Sequence, residues 1–127
     1  MRIHQPVHIY EHQLTVINVF LKVSKSHPDA TWITERRLAR ENYVKRIGKK
    51  EHLPDAVLVL PDGSQIAIEV EISLKARKRL DEILTDYALQ SIFKEVWYFC
   101  SQHVQPVLRE LSDGIPCIKI HPLEKML

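Results

Sequence analysis

The sequence has few glycines and cysteines and no long hydrophobic run. Its 127 residues include three glycines, which excludes a glycine-rich phosphate-binding loop. No apolar stretch approaches the roughly 18 residues of a membrane-spanning helix, and the start of the chain does not look like a signal peptide. Cys100 and Cys117 lie in strand-like runs, which favours free thiols over a disulfide. We therefore expect a single cytoplasmic domain, residues 1–127, with no membrane partner.

The charged residues nearly balance, but the basic ones are clustered. The net charge of +2 says little about nucleic acid by itself. The basic residues fall in two groups, which are Arg36, Arg37, Arg40, Lys45, Arg46, Lys49 and Lys50, and then Lys75, Arg77, Lys78 and Arg79. Such clusters in a nearly neutral chain indicate either surfaces that meet an anion or solvated surface.

The hydrophobic pattern predicts helices that alternate with strands. The predicted helices are residues 7–25, 74–91 and 104–111, and the predicted strands are 56–60, 65–72, 96–100 and 115–120, with a short strand at 31–34 left open. The predicted buried face of the first helix is Val7, Tyr10, Leu14, Ile17 and Leu21, and that of the second is Leu80, Ile83, Leu84, Tyr87 and Ala88. Strands joined through helices predict an α/β fold, a mixed β-sheet flanked by helices.

Three acidic residues lie on two strands that form a predicted hairpin. Glu69 and Glu71 are two residues apart, so both side chains leave the same face of their strand. The turn chemistry of residues 61–64 joins this strand to the one that follows Pro54 and Asp55. A three-residue turn sets Asp55 opposite either Glu69 or Glu71, depending on where the turn closes.

Carboxylates brought this close repel one another, and a divalent cation relieves the repulsion. Oxygen ligands suit Mg²⁺ or Mn²⁺, so Asp55, Glu69 and Glu71 are the predicted metal ligands. Such an ion polarises a phosphodiester and lowers the pKa of an attacking water. Lys75, close behind in the sequence, would stabilise charge that develops on the phosphate. These four are the predicted catalytic residues.

The predicted helix that follows carries cations where its dipole favours acids. Lys75, Lys78 and Arg79 fall in its first turns. One explanation is that Glu82 and Asp86 offset them through pairs one turn away. The other is a DNA phosphate bound at the helix start. The predicted DNA-binding residues are Arg36, Arg37, Lys75, Arg77, Lys78 and Arg79.

Together these residues resemble a known group of nucleases. Pro54-Asp55, the hairpin, Glu69-Val70-Glu71 and Lys75 resemble the PD-(D/E)xK, or restriction-endonuclease-like, superfamily. More narrowly, the chain resembles the plasmid replication-relaxation proteins, a group that includes relaxases of mobilisable plasmids. The residues that carry this narrower resemblance, over about residues 8 to 120, are His12, the stretches 32–36 and 54–56, Glu69, Glu71, Ser73, Lys75, Tyr87 and the stretch 96–98.

The resemblance implies a restriction-endonuclease-like fold and a role for Asp55 and Glu69 as metal ligands. The usual lysine position, two after the second acid, holds Glu71 instead. Lys75 would then supply the amine; otherwise the site would bind DNA without cutting it. Glu11 or Glu35 would add the further acid that this superfamily often takes from an earlier element.

Three functions remain open. The first is a metal-dependent DNA endonuclease or nicking protein of plasmid replication or mobilisation, with a homodimer or a larger plasmid-processing complex as the assembly. The second is a non-catalytic DNA-binding module that keeps the nuclease-like fold in such a complex. The third is a structural dimerisation domain without nucleic acid.

Two other motifs point to different chemistry. His8-Ile9-Tyr10-Glu11-His12 matches the zinc motif of inverted zinc proteases, since His8 and His12 would share a helix face. A third ligand is not evident, which favours a surface or capping role for His8 and a packing or supporting role for His12. Tyr43 is the tyrosine best placed to be a relaxase nucleophile, but no neighbouring residue would activate it.

Overall fold

The computed structural model describes residues 7–41, 52–74 and 76–123. The elements are α1 (Val7–Ser26), β1 (Thr31–Thr34), α2 (Glu35–Arg40), β2 (Ala56–Val59), β3 (Gln65–Glu71), α3 (Arg77–Leu89), β4 (Glu95–Cys100), α4 (Gln105–Leu111) and β5 (Ile118–Pro122). The predicted α/β class, a mixed sheet flanked by helices, is confirmed. Across these described ranges, no helix is both long enough and apolar enough to cross a membrane.

The five strands form one sheet in the order in which they occur along the chain. β1, β2 and β3 are antiparallel neighbours, whereas β3, β4 and β5 run parallel to one another. Parallel neighbours need a crossover connection, and α3 and α4 provide the two crossovers. The carboxyl ends of β3 and β4 therefore lie at the same edge of the sheet as the start of β2.

The turn between β2 and β3 fixes the register of the hairpin. Leu60 N donates to Ser64 O at 2.9 Å, which leaves residues 61–63 as a three-residue turn. Gly63 has a φ of 88°, a left-handed conformation that glycine adopts at little cost. The Asp62 carboxylate accepts a hydrogen bond from Ser64 N at 2.9 Å, and this bond lowers its pKa. The ladder then pairs Ala56 with Ile68, which is the first of the two predicted registers.

Each face of the sheet has its own hydrophobic core. Ile66, Ile68 and Val70 of β3 point toward α1, where they join a cluster with Val19 and Val23. The alternate residues of β3 point the other way, toward the larger cluster that contains residues of α2, α3 and α4. The alternation predicted for β3 is confirmed, and it puts Glu69 and Glu71 on the side of α3.

Two predicted elements differ from the observed bounds by more than one residue. α3 runs from Arg77 to Leu89 rather than over residues 74–91. It ends where the Gln90 side chain bonds to the backbone of Phe93. Ala88, predicted to be buried, is exposed, whereas the rest of the predicted stripe is buried. β5 begins at Ile118 and not at residue 115, since Pro116 has no N–H for the ladder.

The predicted buried face of α1 is wrong. Tyr10, Leu14, Ile17 and Leu21 are 51%, 60%, 53% and 59% exposed. The side that packs on the sheet carries short β-branched side chains instead, chiefly Val16, Val19 and Val23. Because the helix is apolar on both sides, its periodicity could not show which side the sheet would cover.

The two cysteines are free thiols, as predicted. Cys100 is buried at the end of β4, and Cys117 is partly buried just before β5. Burial raises the pKa of the Cys117 thiol, so it remains protonated at neutral pH.

Candidate active site

Four acidic residues lie at one edge of the sheet because of its topology. Glu35 directly follows β1, Asp55 directly precedes β2, and Glu69 and Glu71 lie at the carboxyl end of β3. β2 runs antiparallel to both of its neighbours, so its start lies beside the end of each. The clustering predicted for Asp55 and the two glutamates of β3 therefore has its origin in the strand order.

Asp55 sits where the β2–β3 ladder ends. Its N–H donates to Ile68 O at 2.9 Å, and its Oδ2 accepts from Val70 N at 2.7 Å. The aspartate side chain thus accepts a hydrogen bond from the backbone N–H of Val70, beyond the last pair of the β2–β3 ladder. Its other oxygen, Oδ1, lies 3.3 Å from His12 Nε2 of α1.

His12 is held by this acidic edge. The hydrogen bond to Asp55 is the main reason that its pKa lies above the ordinary value, and this bond outweighs the opposing effect of partial burial. The proton of His12, when it is bound, therefore compensates for negative charge at this edge. Its side chain is 36% exposed, compared with 13% for that of Asp55, so solvent reaches this pair mainly at the histidine.

Glu69 lies deeper, at 1% exposure, and is surrounded by donors. The Tyr87 hydroxyl of α3 donates to Glu69 Oε2 at 2.5 Å, and His52 Nε2 lies 2.6 Å from the same oxygen. A buried carboxylate without such partners would cost several kcal/mol. Burial and the charge of Glu69 together raise the pKa of Tyr87 well above its ordinary value, so the phenol keeps the proton that it donates.

Glu71 points to the same face one step farther along β3 and is 6% exposed. The register pairs it with Cys100 of β4 and leaves Asp55 beside Glu69, not beside Glu71. Tyr98 of β4 is buried, and its pKa is raised well above the ordinary value, first by burial and then by the charges of Glu69 and Glu71. The negative potential thus extends along the whole end of β3.

Glu35 is the fourth acidic residue at this edge. It is the first residue of α2, and Thr34 caps that helix by accepting a hydrogen bond from Arg37 N at 3.2 Å. The pKa of the Glu35 carboxyl is raised mainly by desolvation, and the charges of Asp55 and Glu69 add to the shift. Glu11, the other acid considered for this role, has an exposed side chain on α1.

His52 and the hydroxyl of Tyr87 were missed by the sequence analysis. His52 comes just before β2, in a segment without hydrophobic periodicity, so no pattern marked it. Tyr87 was correctly predicted to be buried, but a buried phenol also needs a hydrogen-bond acceptor. Tyr87 lies on the face of α3 that packs toward β3, the strand that carries Glu69. The need of a buried phenol for an acceptor, together with this packing, could have pointed to the bond between them.

The carboxylates do not form a ready metal centre. Among residues 7–41, 52–74 and 76–123, no group of three or more His, Cys, Asp or Glu side chains is placed to hold a metal ion. Asp55 Oδ2 and Glu69 Oε2 are both engaged in short hydrogen bonds within the protein. The donors have the chemistry that Mg²⁺ or Mn²⁺ prefers, and Asp55 Oδ1 faces a partly exposed histidine that a cation could replace.

The described residues among those predicted to bind DNA lie on α2 and in the first turn of α3. Arg37 pairs with Glu41 at 3.0 Å on α2, and Arg77 at the start of α3 pairs with Glu110 of α4 at 2.6 Å. Arg36 and Lys78 are exposed, and Arg79 is partly buried. Lys75 lies outside the described residues, as do Tyr43 and the basic residues that follow it, and the side chain of His8 is also not described.

Comparison with known proteins does not identify the chain. No protein-family model matches it, and no curated protein has a significantly similar sequence.

Proposed function

We propose that this protein is a metal-dependent DNA endonuclease or nicking protein. The observation that carries the proposal is the placement of Asp55 beside Glu69 on antiparallel strands, with Glu35 and Glu71 at the same edge. The resemblance to plasmid replication-relaxation proteins supplies the substrate, the DNA of plasmid replication or mobilisation.

The accumulation of negative charge supports this proposal. Glu69 and Glu71 are both nearly buried, and the pKa of Glu35 is raised in part by the charges of its acidic neighbours. Acids gathered in this way are unfavourable unless a cation or a proton compensates for them. Perturbed pKa values of this kind are common at functional sites.

In this proposal Asp55, Glu69 and Glu71 hold Mg²⁺ or Mn²⁺. The ion would polarise the phosphodiester and lower the pKa of a water molecule. His12 Nε2 lies 3.3 Å from Asp55 Oδ1 and its side chain is partly exposed, so it could accept or release a proton when Asp55 changes partner. His52 and Tyr87 fix the orientation of Glu69.

The basic side chains would bind the DNA backbone. Arg36 and Lys78 project from α2 and α3 with exposed side chains. Arg37 and Arg77 have acidic partners within the protein, and both pairs are exposed to solvent, so their strength is low and phosphates can compete for the guanidinium groups. Lys75 belongs to the same set and would stabilise the charge on the scissile phosphate.

A nicking assay tests the proposal. Supercoiled plasmid is incubated with the protein and either Mg²⁺ or Mn²⁺, beside the Asp55→Asn variant, which keeps an acceptor for Val70 N. Asp113→Asn, which changes an exposed aspartate in the turn after α4, is the matched control. We expect nicking by the wild type and by Asp113→Asn but none by Asp55→Asn or in the presence of a chelator. A wild type that does not nick with either metal would overturn the proposal.

One observation favours a second function, a non-catalytic DNA-binding module. Glu69 is 1% exposed, and two side chains already bond to the same one of its oxygens. This arrangement is also what a purely structural buried acid would adopt. In the same experiment, salt-sensitive binding of plasmid without nicking would support this second function.

A further inference from the structure

The outer side of α1 carries a row of large apolar side chains that the rest of the described chain leaves exposed. Tyr10, Leu14, Ile17 and Leu21 recur at steps of four, three and four residues. Phe20 lies at the border of this side, 37% exposed, with its ring 5.3 Å from that of Trp32 of β1. We call these five the outer row of α1. They are five of the eight large hydrophobic side chains that are exposed among the described residues.

The sheet cannot cover Tyr10, Leu14, Ile17 and Leu21, because it already covers the opposite side of the helix. Val19 and Val23 are 0% and 5% exposed and pack with residues of β2 and β3. A helix that is apolar on both sides is normally buried on both sides. An exposed apolar patch of this size on a small protein usually marks an interaction surface.

We propose that the outer row is a homodimer interface, in which α1 packs antiparallel against α1 of a second copy of this chain. Apolar residues at alternating steps of three and four form the seam of a two-helix coiled coil. Around a two-fold axis the seam is self-complementary, since each contact between two positions occurs twice. This inference does not depend on the proposed nuclease activity.

The area of the outer row fits a second copy. The five side chains, which are 37% to 60% exposed, present on the order of 100 Å² apiece. Two copies would therefore bury roughly 1,000 Å² in total, which is about where specific interfaces begin. We expect a dimer that forms at high protein concentration and dissociates on dilution.

The charges beside the outer row favour the antiparallel direction. Glu11 lies near the start of α1, and Lys22 and Lys25 lie near its end, all with exposed side chains. Antiparallel packing brings the acidic end of one helix to the basic end of the other, whereas parallel packing brings like charges together. Complementary charges at the rim of an interface choose the orientation and the partner.

Sedimentation velocity over a range of protein concentrations tests the proposal, with Leu14→Glu as the disrupting variant. Leu89→Glu is the matched control, because Leu89 is 82% exposed on α3 and lies outside the outer row. We expect the wild type and Leu89→Glu to shift from monomer to dimer together, and Leu14→Glu to stay monomeric. Thermal unfolding of each variant shows that it is folded. A wild type that is monomeric throughout, or a Leu14→Glu variant that still dimerises, would overturn the proposal.

A charge exchange tests the direction of the helices. Glu11→Lys should weaken the dimer several-fold, and adding Lys25→Glu to the same chain should restore it. If the double variant dimerises no more tightly than Glu11→Lys alone, the helices are not antiparallel and that part of the proposal fails.

Discussion

His12 Nε2 lies 3.3 Å from Asp55 Oδ1, so α1 is joined to the acidic edge of the sheet by a pair of side chains distant in sequence. The rest of α1 is held by apolar packing of its valines on the other face of the sheet. The pair therefore sets where the first half of the helix lies relative to the carboxylates.

The His12–Asp55 pair should make stability depend on pH. The pKa of His12 is raised in the folded protein, mainly by the hydrogen bond to Asp55. The stabilisation is then fully present below the unfolded pKa of about 6.5 and is lost as the pH rises through the higher folded pKa. We expect His12→Gln to lower the free energy of unfolding by up to about 1 kcal/mol at pH near 6, and by much less at pH near 9.

Urea denaturation at the two pH values, at low and high salt, measures this difference. His103→Gln, which changes an exposed histidine whose Nδ1 lies 3.3 Å from the Ser101 hydroxyl, is the control and should show no comparable pH dependence. An equal loss of stability at both pH values for His12→Gln would mean that the ring contributes by packing and not by its charge.

The hydrogen bond from Tyr87 to Glu69 should contribute measurably to stability. Tyr87→Phe removes the hydroxyl and leaves a buried carboxylate with one donor fewer. Hydrogen bonds to charged groups contribute about 1.5–3 kcal/mol, and we expect a loss of that size in the free energy of unfolding. Tyr10→Phe, which changes an exposed tyrosine, is the matched control and should have little effect at protein concentrations too low for the proposed dimer. A loss below about 0.5 kcal/mol would indicate that water or another donor replaces the hydroxyl.

The hairpin and its acids could be predicted because each depends on a local rule. The alternation of apolar and other residues predicted the two faces of β3. The turn residues limited the register of the hairpin to two possibilities, and the structure has the one that pairs Ala56 with Ile68. The convergence of Asp55 with Glu69 then follows from strand geometry alone. The strand order that brings Glu35 to the same edge is not local, and the sequence offered Glu35 and Glu11 equally.

The partners of the acids could not be predicted. His52 reaches Glu69 from a segment without periodicity, and the orientation of α1 depends on which of two apolar sides meets the sheet. The short valines of α1 pack against the sheet, and the larger apolar side chains lie on the opposite side of the helix. The spacing of hydrophobic residues shows which side of a helix is apolar, but it does not show which part of the protein packs against that side.

The register of the hairpin should depend on Gly63. Its φ of 88° is costly for residues with a Cβ atom, and no heavy atom lies within 4 Å of where that Cβ would be. The cost of Gly63→Ala is therefore one of backbone conformation, about 1–2 kcal/mol. Gly63→Asn should cost less, because asparagine tolerates the left-handed region better. Thermal or urea unfolding of the two variants gives the comparison, and an alanine variant as stable as the wild type would mean that the turn rearranges.

Binding of a divalent cation should stabilise the protein if Asp55 and the glutamates hold it. A ligand at about 100 times its dissociation constant stabilises the folded state by about 2.7 kcal/mol. For a domain of this size, that corresponds to a rise in Tm of roughly 10 °C. We expect Mg²⁺ or Mn²⁺ to raise the Tm of the wild type and of Asp113→Asn, and a chelator to reverse the rise. Asp55→Asn retains an acceptor for Val70 N but loses the charge, so its Tm should respond weakly to either ion. An equal rise in Asp55→Asn would show that the ions bind elsewhere on the protein, and the carboxylate edge would then be a structural cluster.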